Sequence, residues 1–118
     1  MTENTTIKFV MPLYRKAGMS TEAFRDYYEQ HHRKIGEKYL RGFVTKYMRR
    51  YTQPLAEPGS EDFDVLLEMW FPDQQTYIKC MQHLQTPEIA EEIRIDEEKL
   101  FDRSRKRGYL LTEVVSEI

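Results

Sequence analysis

The chain has 118 residues, 32% of them charged and 40% apolar, with a formal net charge of −2. That length suits one domain, 1–118, with a modest core, and the charge balance gives no reason to expect nucleic acid as a partner. No apolar run approaches the roughly 20 residues needed to span a bilayer, so no membrane association is expected.

Met1 to Thr6 are polar and lack the basic-then-apolar pattern of a leader, which predicts a cytoplasmic protein. The one cysteine, Cys80, has no internal partner; it reads as a packed helix residue in a reducing compartment. Ile7 to Tyr14 reads as a strand that is largely apolar on both faces, with Pro12 marking its end or an edge. Arg15 to Met19 forms a turn around Gly18, and Ser20 caps the helix that follows. This helix is predicted to run to about Tyr39, with a stripe of Phe24, Tyr27, Tyr28, His31, Ile35 and Tyr39, and to stop near Gly42.

Phe43 to Thr52 reads as a second strand and Gln53 to Asp62 as a loop rich in Pro and Gly. Phe63 to Phe71 is the clearest strand; seven of its nine residues are apolar, so both faces call for cover. Pro72-Asp73 opens a helix through Tyr77, Ile78, Met81 and Leu84. Thr86-Pro87-Glu88 restarts a helical pattern through Ile89 and Ile93 towards Leu100 and Phe101. Asp102 to Gly108 is a basic turn, and Tyr109 to Val115 a final strand.

The order β-α-β-β-α-β predicts an α+β chain of ferredoxin-like type, a four-stranded antiparallel sheet with helices on one face. Two helices cover only one face. Each large apolar side chain left on the other forgoes roughly 1.5–3 kcal/mol of burial, so a second copy packed sheet to sheet is expected. The competing reading is a half-polar far face occupied by Lys8, Lys46 and Glu68.

The run Phe24-Arg25-Asp26-Tyr27-Tyr28-Glu29-Gln30-His31-His32 resembles the helix of EthD-like proteins in the dimeric α+β-barrel superfamily. Tyr14 to Ser20, Leu67 to Phe71 and Asp96 to Arg105 are similar to that family's first turn, third strand and approach to the last strand. The sequence departs from the family at Lys34, where a Pro usually stands two residues after the His. The resemblance implies a homodimer with a cavity between each sheet and its helices. It fixes no reaction.

Helical spacing nominates His31 as the buried histidine and puts His32 about 100° round, at the stripe's edge. The resemblance instead puts His32 on the functional position. The two are reconciled by treating His31 as a packed core residue and His32 as the acid–base group at a cavity mouth. Tyr28 is its expected catalytic companion, and Met11, Tyr14, Tyr47, Tyr51, Glu68, Trp70 and His83 are expected to line the pocket. A buried Glu68 would need Lys46 or an arginine beside it. The basic run Arg103, Arg105, Lys106 and Arg107 could steer an anion.

No glycine-rich phosphate loop and no metal-ligand spacing is present, so neither a cofactor nor a metal is expected. The sequence therefore points to a cofactor-independent enzyme of the lyase, isomerase or cyclase type, acting on a small hydrophobic or aromatic molecule. The alternatives are a cofactor-free monooxygenase of phenols or quinols and a non-catalytic ligand-binding protein.

Overall fold

A computed structural model describes residues 4–118; Met1 to Glu3 of the polar opening stretch lie outside the described residues. The elements are β1 (Ile7–Leu13), α1 (Thr21–Tyr27), a π-helical turn (Tyr28–His32), α2 (Arg33–Leu40), β2 (Lys46–Tyr51), β3 (Val65–Phe71), α3 (Gln74–Leu84), α4 (Pro87–Glu97), a 3-10 turn (Arg103–Arg105) and β4 (Tyr109–Leu110). The strands make one antiparallel sheet in the order β2-β3-β1-β4. This is the ferredoxin-like arrangement the sequence predicts. No helix among the described residues is long and apolar enough to cross a membrane.

The helix starts follow the expected chemistry. Ser20 and Asp73 each stand in extended backbone and accept a hydrogen bond from the N–H three residues on, at Ala23 and Thr76. Pro87 opens α4, where its missing N–H costs nothing. Gly42 ends the first helical stretch with φ of +92°, a conformation open to glycine at no steric cost.

All four strands are shorter than predicted, β2 and β4 by the most. Phe43 and Val44 both donate to the Leu40 carbonyl and so belong to the helix end, which delays β2 to Lys46. At the other end, β4 holds only Tyr109 and Leu110 rather than Tyr109 to Val115. Leu110 faces Phe9 in an antiparallel register, so β4 runs off the beginning of β1 within two residues. One more bond, from Leu111 N–H to Lys8 O, closes the ladder, and Val114 and Val115 stand exposed.

Strand alternation divides the sheet. Ile7, Phe9, Met11 and Leu13 share the helix-covered face with Val65, Leu67, Met69 and Phe71 and with Tyr47 and Tyr51. They pack in two clusters, one around Phe24, Tyr28, Leu100 and Phe101, the other around Leu40 and Cys80. Cys80 is a packing residue, its thiol pushed up to about 11 by burial.

The other face carries Lys8, Val10, Pro12, Lys46, Met48, Arg50, Leu66, Glu68 and Trp70. It mixes apolar and charged groups. Glu68 is buried there, and accepts hydrogen bonds from Trp70 Nε1 at 2.5 Å and from the Arg50 guanidinium. Burial alone would raise its carboxyl; those two donors outweigh it and hold the group below the usual carboxylate range. The Lys8 and Lys46 ammoniums lie 4.1 and 4.3 Å from the Trp70 ring centre.

Candidate functional site

The first long helix is not uniform. At Tyr28–His32 it widens into a π turn, in which the Arg33 N–H reaches the Tyr28 carbonyl five residues back. The extra residue subtracts roughly 100° from every later position, given about 3.6 residues per α-helical turn. Phe24, Tyr28, His32 and Leu40 are therefore the buried residues along this stretch, spaced in fours and eights. The expectation for His31 is overturned. It is exposed, its ring 4.8 Å from that of Tyr27, while His32 takes the inner position that unbroken α-helical spacing assigns to His31.

His32 is held tightly. Its Nδ1 lies 2.8 Å from Asp96 Oδ2, and Tyr27 Oη donates to the other carboxylate oxygen, Oδ1, at 2.5 Å. Asp96 comes from α4 and is 6% exposed. The edges of Tyr28 and Phe101 close around the imidazole, with ring centres at 5.0 and 5.2 Å and planes almost perpendicular to it. An acceptor fixed on Nδ1 makes that nitrogen the proton-bearing one in the neutral ring and leaves the Nε2 lone pair free for proton transfer. Burial, and then the hydrogen bond to Asp96, push the Tyr27 phenol up to about 12, so it remains a donor throughout the neutral range.

A second polar group adjoins this one. The Tyr28 and Tyr47 hydroxyls stand 3.5 Å apart, and burial raises both phenols. Glu29 accepts a two-pronged interaction from Arg49, at 3.0 and 2.6 Å, and a hydrogen bond from Tyr51 Oη at 2.5 Å. The Arg49 hydrogen bond holds the Glu29 carboxyl below its usual range, against the opposing effect of burial. Tyr47 fits against the helix because residue 36 is glycine: a Cβ there would meet Tyr47 Oη at 2.7 Å.

Not all of the expected lining residues come together. Tyr28, His32, Met11, Tyr47 and Tyr51 lie between the helices and the sheet. Glu68 and Trp70 alternate with Leu67, Met69 and Phe71 and so lie on the opposite face of the sheet. Tyr14 sits past the end of β1 against Phe63 and Arg105, and His83 sits on α3 against Phe43 and Tyr39. One pocket within a single chain thus cannot hold all seven. Spacing put Tyr27 on the apolar stripe without a role and did not single out Asp96, Glu29 or Arg49. Asp96 carried a signal: with Ile89 and Ile93 it makes an i, i+4, i+7 row, so an acid falls on the apolar stripe of α4.

An opening of about 210 Å³ beside Tyr47 lies at the C-terminal end of α2 and has Leu40, Val44 and Arg41 also in its wall. Among the described residues no group of three or more His, Cys, Asp or Glu side chains is placed to hold a metal ion.

The sequence matches the EthD domain over residues 16–104. No curated protein matches it. Among solved structures, an EthD-like protein from Ralstonia eutropha JMP134 is similar at TM-score 0.64 and 17% identity, covering 98% of this chain and 97% of that one. A dimeric ferredoxin-like protein of unknown function from Thermobifida fusca YX is similar at TM-score 0.60 and 9% identity, covering 96% and 95%. A candidate antibiotic biosynthesis monooxygenase from Nitrosomonas europaea is similar at TM-score 0.60 and 12% identity, covering 97% and 95%. Likeness at these identities speaks to the fold.

Proposed function

The chain belongs to the EthD domain family, and from that premise we propose a cofactor-independent enzyme that moves protons on a small hydrophobic, aromatic or polyketide-like molecule. The reaction class is dehydration, cyclisation or isomerisation. The observation that supports it is the buried His32 whose Nδ1 is held by Asp96, itself fixed by Tyr27. In this reading Nε2 takes a proton from a carbon or oxygen acid and returns it, and Asp96 stabilises the imidazolium in between. Tyr28, a protonated phenol at neutral pH because burial raises it, supplies a hydrogen bond to developing enolate charge. The opening beside Tyr47 is the proposed entrance.

The test is turnover of a panel of aromatic and polyketide-like ketones followed by mass spectrometry. His32→Ala is expected to lose most activity on any substrate found, and full turnover by that variant would sink the assignment. The likeness to the Nitrosomonas europaea protein supports a second reading, a cofactor-free monooxygenase of phenols or quinols. Oxygen uptake with a quinol separates the two. Tight binding without turnover across the panel would favour a ligand-binding protein.

We also propose a cytoplasmic homodimer paired through the open sheet face. The apolar Val10, Pro12, Met48 and Leu66 on that face support it, as does the dimeric state given for the Thermobifida fusca neighbour. Light scattering is expected to give twice the chain mass, with Leu66→Glu reducing it to one. A wild-type monomer at micromolar concentration would contradict it.

A further inference from the structure

A second concave site lies at the rim of the sheet, where β1 runs out and β4 begins. It encloses about 310 Å³, and its wall includes Tyr14, Tyr109, Ser104, Arg105, Lys106 and Arg107. None of the residues lining it is acidic, in a chain whose net charge is −2. Like charges crowded into one concavity repel, so the segment that carries them needs anchors.

It has several. Glu97, 4% exposed, takes Lys106 Nζ on both carboxylate oxygens at 2.8 and 2.7 Å and Arg103 Nε at 3.3 Å. Asp102 donates its N–H to the Tyr14 carbonyl and accepts from the Ser104 hydroxyl at 2.6 Å. Arg105 donates to the Ser60 carbonyl at 2.5 Å, and its guanidinium carbon lies 3.6 Å from the Tyr14 ring centre. Glu97 thus neutralises Lys106, whereas Arg105 and Arg107 make no ion pair among the described residues. The result is a cavity with about two uncompensated cations, one already oriented on an aromatic face, and a second tyrosine in the wall.

We infer that this groove binds a small planar anion, an aromatic carboxylate or phosphate monoester, with the charge on Arg105 and Arg107 and the ring against Tyr14 and Tyr109. A guanidinium presents paired donors that match either oxyanion, and a ring on a tyrosine face adds affinity that a bare ion lacks. The site shares no residue with the surroundings of His32 and does not depend on the acid–base reading; Pro12, on the open face of the sheet, also stands in its wall.

The experiment titrates the full chain, in its solution assembly, with phenyl phosphate, benzoate, inorganic phosphate and chloride, and follows backbone amide shifts. Saturable shifts are expected at residues 12–14 and 104–109 with phenyl phosphate or benzoate, whichever the groove prefers. Inorganic phosphate is expected to bind at least 5-fold more weakly, and chloride without saturation. Arg105→Gln and Arg107→Gln should each weaken binding about 10-fold, while Lys38→Gln, remote from the groove, should leave it unchanged. Equal binding by inorganic phosphate overturns the ring contact. Shifts centred elsewhere, unchanged affinity in both arginine variants or no saturable binding overturns the site.

Discussion

Asp96 Oδ2 and His32 Nδ1 meet at 2.8 Å across two helices, 64 residues apart in the chain. Orientation of the imidazole thus depends on how α4 docks against the π turn. Asp96→Asn keeps the size of the side chain but replaces a carboxylate with an amide. On any substrate that His32 turns over, about a 10²- to 10⁴-fold drop is expected, the range typical of a disabled acid–base group. Nitrogen NMR of the neutral ring should show the proton on Nδ1 in the wild type and a loss of that preference in the variant. Asp96→Ala, which strands a buried imidazole, should cost about 3 kcal/mol in urea denaturation.

The Tyr27 phenol, raised from 10.0 to about 12, links stability to alkaline pH. Its proton is held more firmly in the folded chain than in the unfolded one. The stabilisation is complete below pH 10, declines from there and is gone above about 12. Tyr28, Tyr47 and Tyr51 are raised too and add to the same slope. Urea midpoints should therefore fall steadily above pH 10. Tyr27→Phe should fall less steeply while losing about 1–2 kcal/mol at neutral pH. A midpoint flat to pH 12 would contradict the Tyr27–Asp96 bond.

Glu29 and Glu68 predict the opposite limb. Both carboxyls lie below their ordinary value in the folded chain, so their contribution is present above about pH 4.5 and disappears as pH falls through the lower folded values. Glu29→Gln should flatten part of the acid-side loss. At neutral pH it should cost about 1 kcal/mol, a figure discounted for the 34% of its side chain that water reaches. An unchanged acid profile would show that Arg49 and Tyr51 do not hold this carboxylate in solution.

Gly36→Ala tests the fit of Tyr47. Alanine ordinarily gains up to about 1 kcal/mol over glycine inside a helix. Here its Cβ would stand 2.7 Å from Tyr47 Oη and 3.0 Å from Cζ, so the ring must shift. A net loss of about 1–3 kcal/mol is expected. Tyr47→Phe in the same chain removes the nearest atom and should recover part of it. A double-mutant cycle reads the coupling directly, and additive effects would mean that the two residues do not meet.

Much of the fold was legible because its signals are local. Ser20 and Asp73 act through side-chain oxygens on the N–H three residues on, Gly42 and Pro87 through their own backbone, and the strands advertise themselves by β-branched and aromatic runs. The need of Glu68 for a cation was legible too, and Arg50, one strand away, meets it. What was not legible depends on distant partners. Asp96 finds His32 only once α4 docks, and β4 ends early because of where β1 begins. The pocket lining was misgrouped because residue type was weighed without strand parity, which sends Glu68 and Trp70 away from Tyr47.

The π turn divides this helix into two registers that no single helical wheel can describe. Positions up to Tyr28 obey one wheel and positions from His32 onward another, offset by one residue. A design or alignment that carries the first frame through to Leu40 will name the exposed His31 as core and rank the half-buried Ile35 and Tyr39 above the buried His32 and Leu40. Conversely, removing one residue between Tyr28 and His32 would join the two frames. His32 would then stand three residues after Tyr28, the inner position of an unbroken α-helix, and would keep its carboxylate partner Asp96.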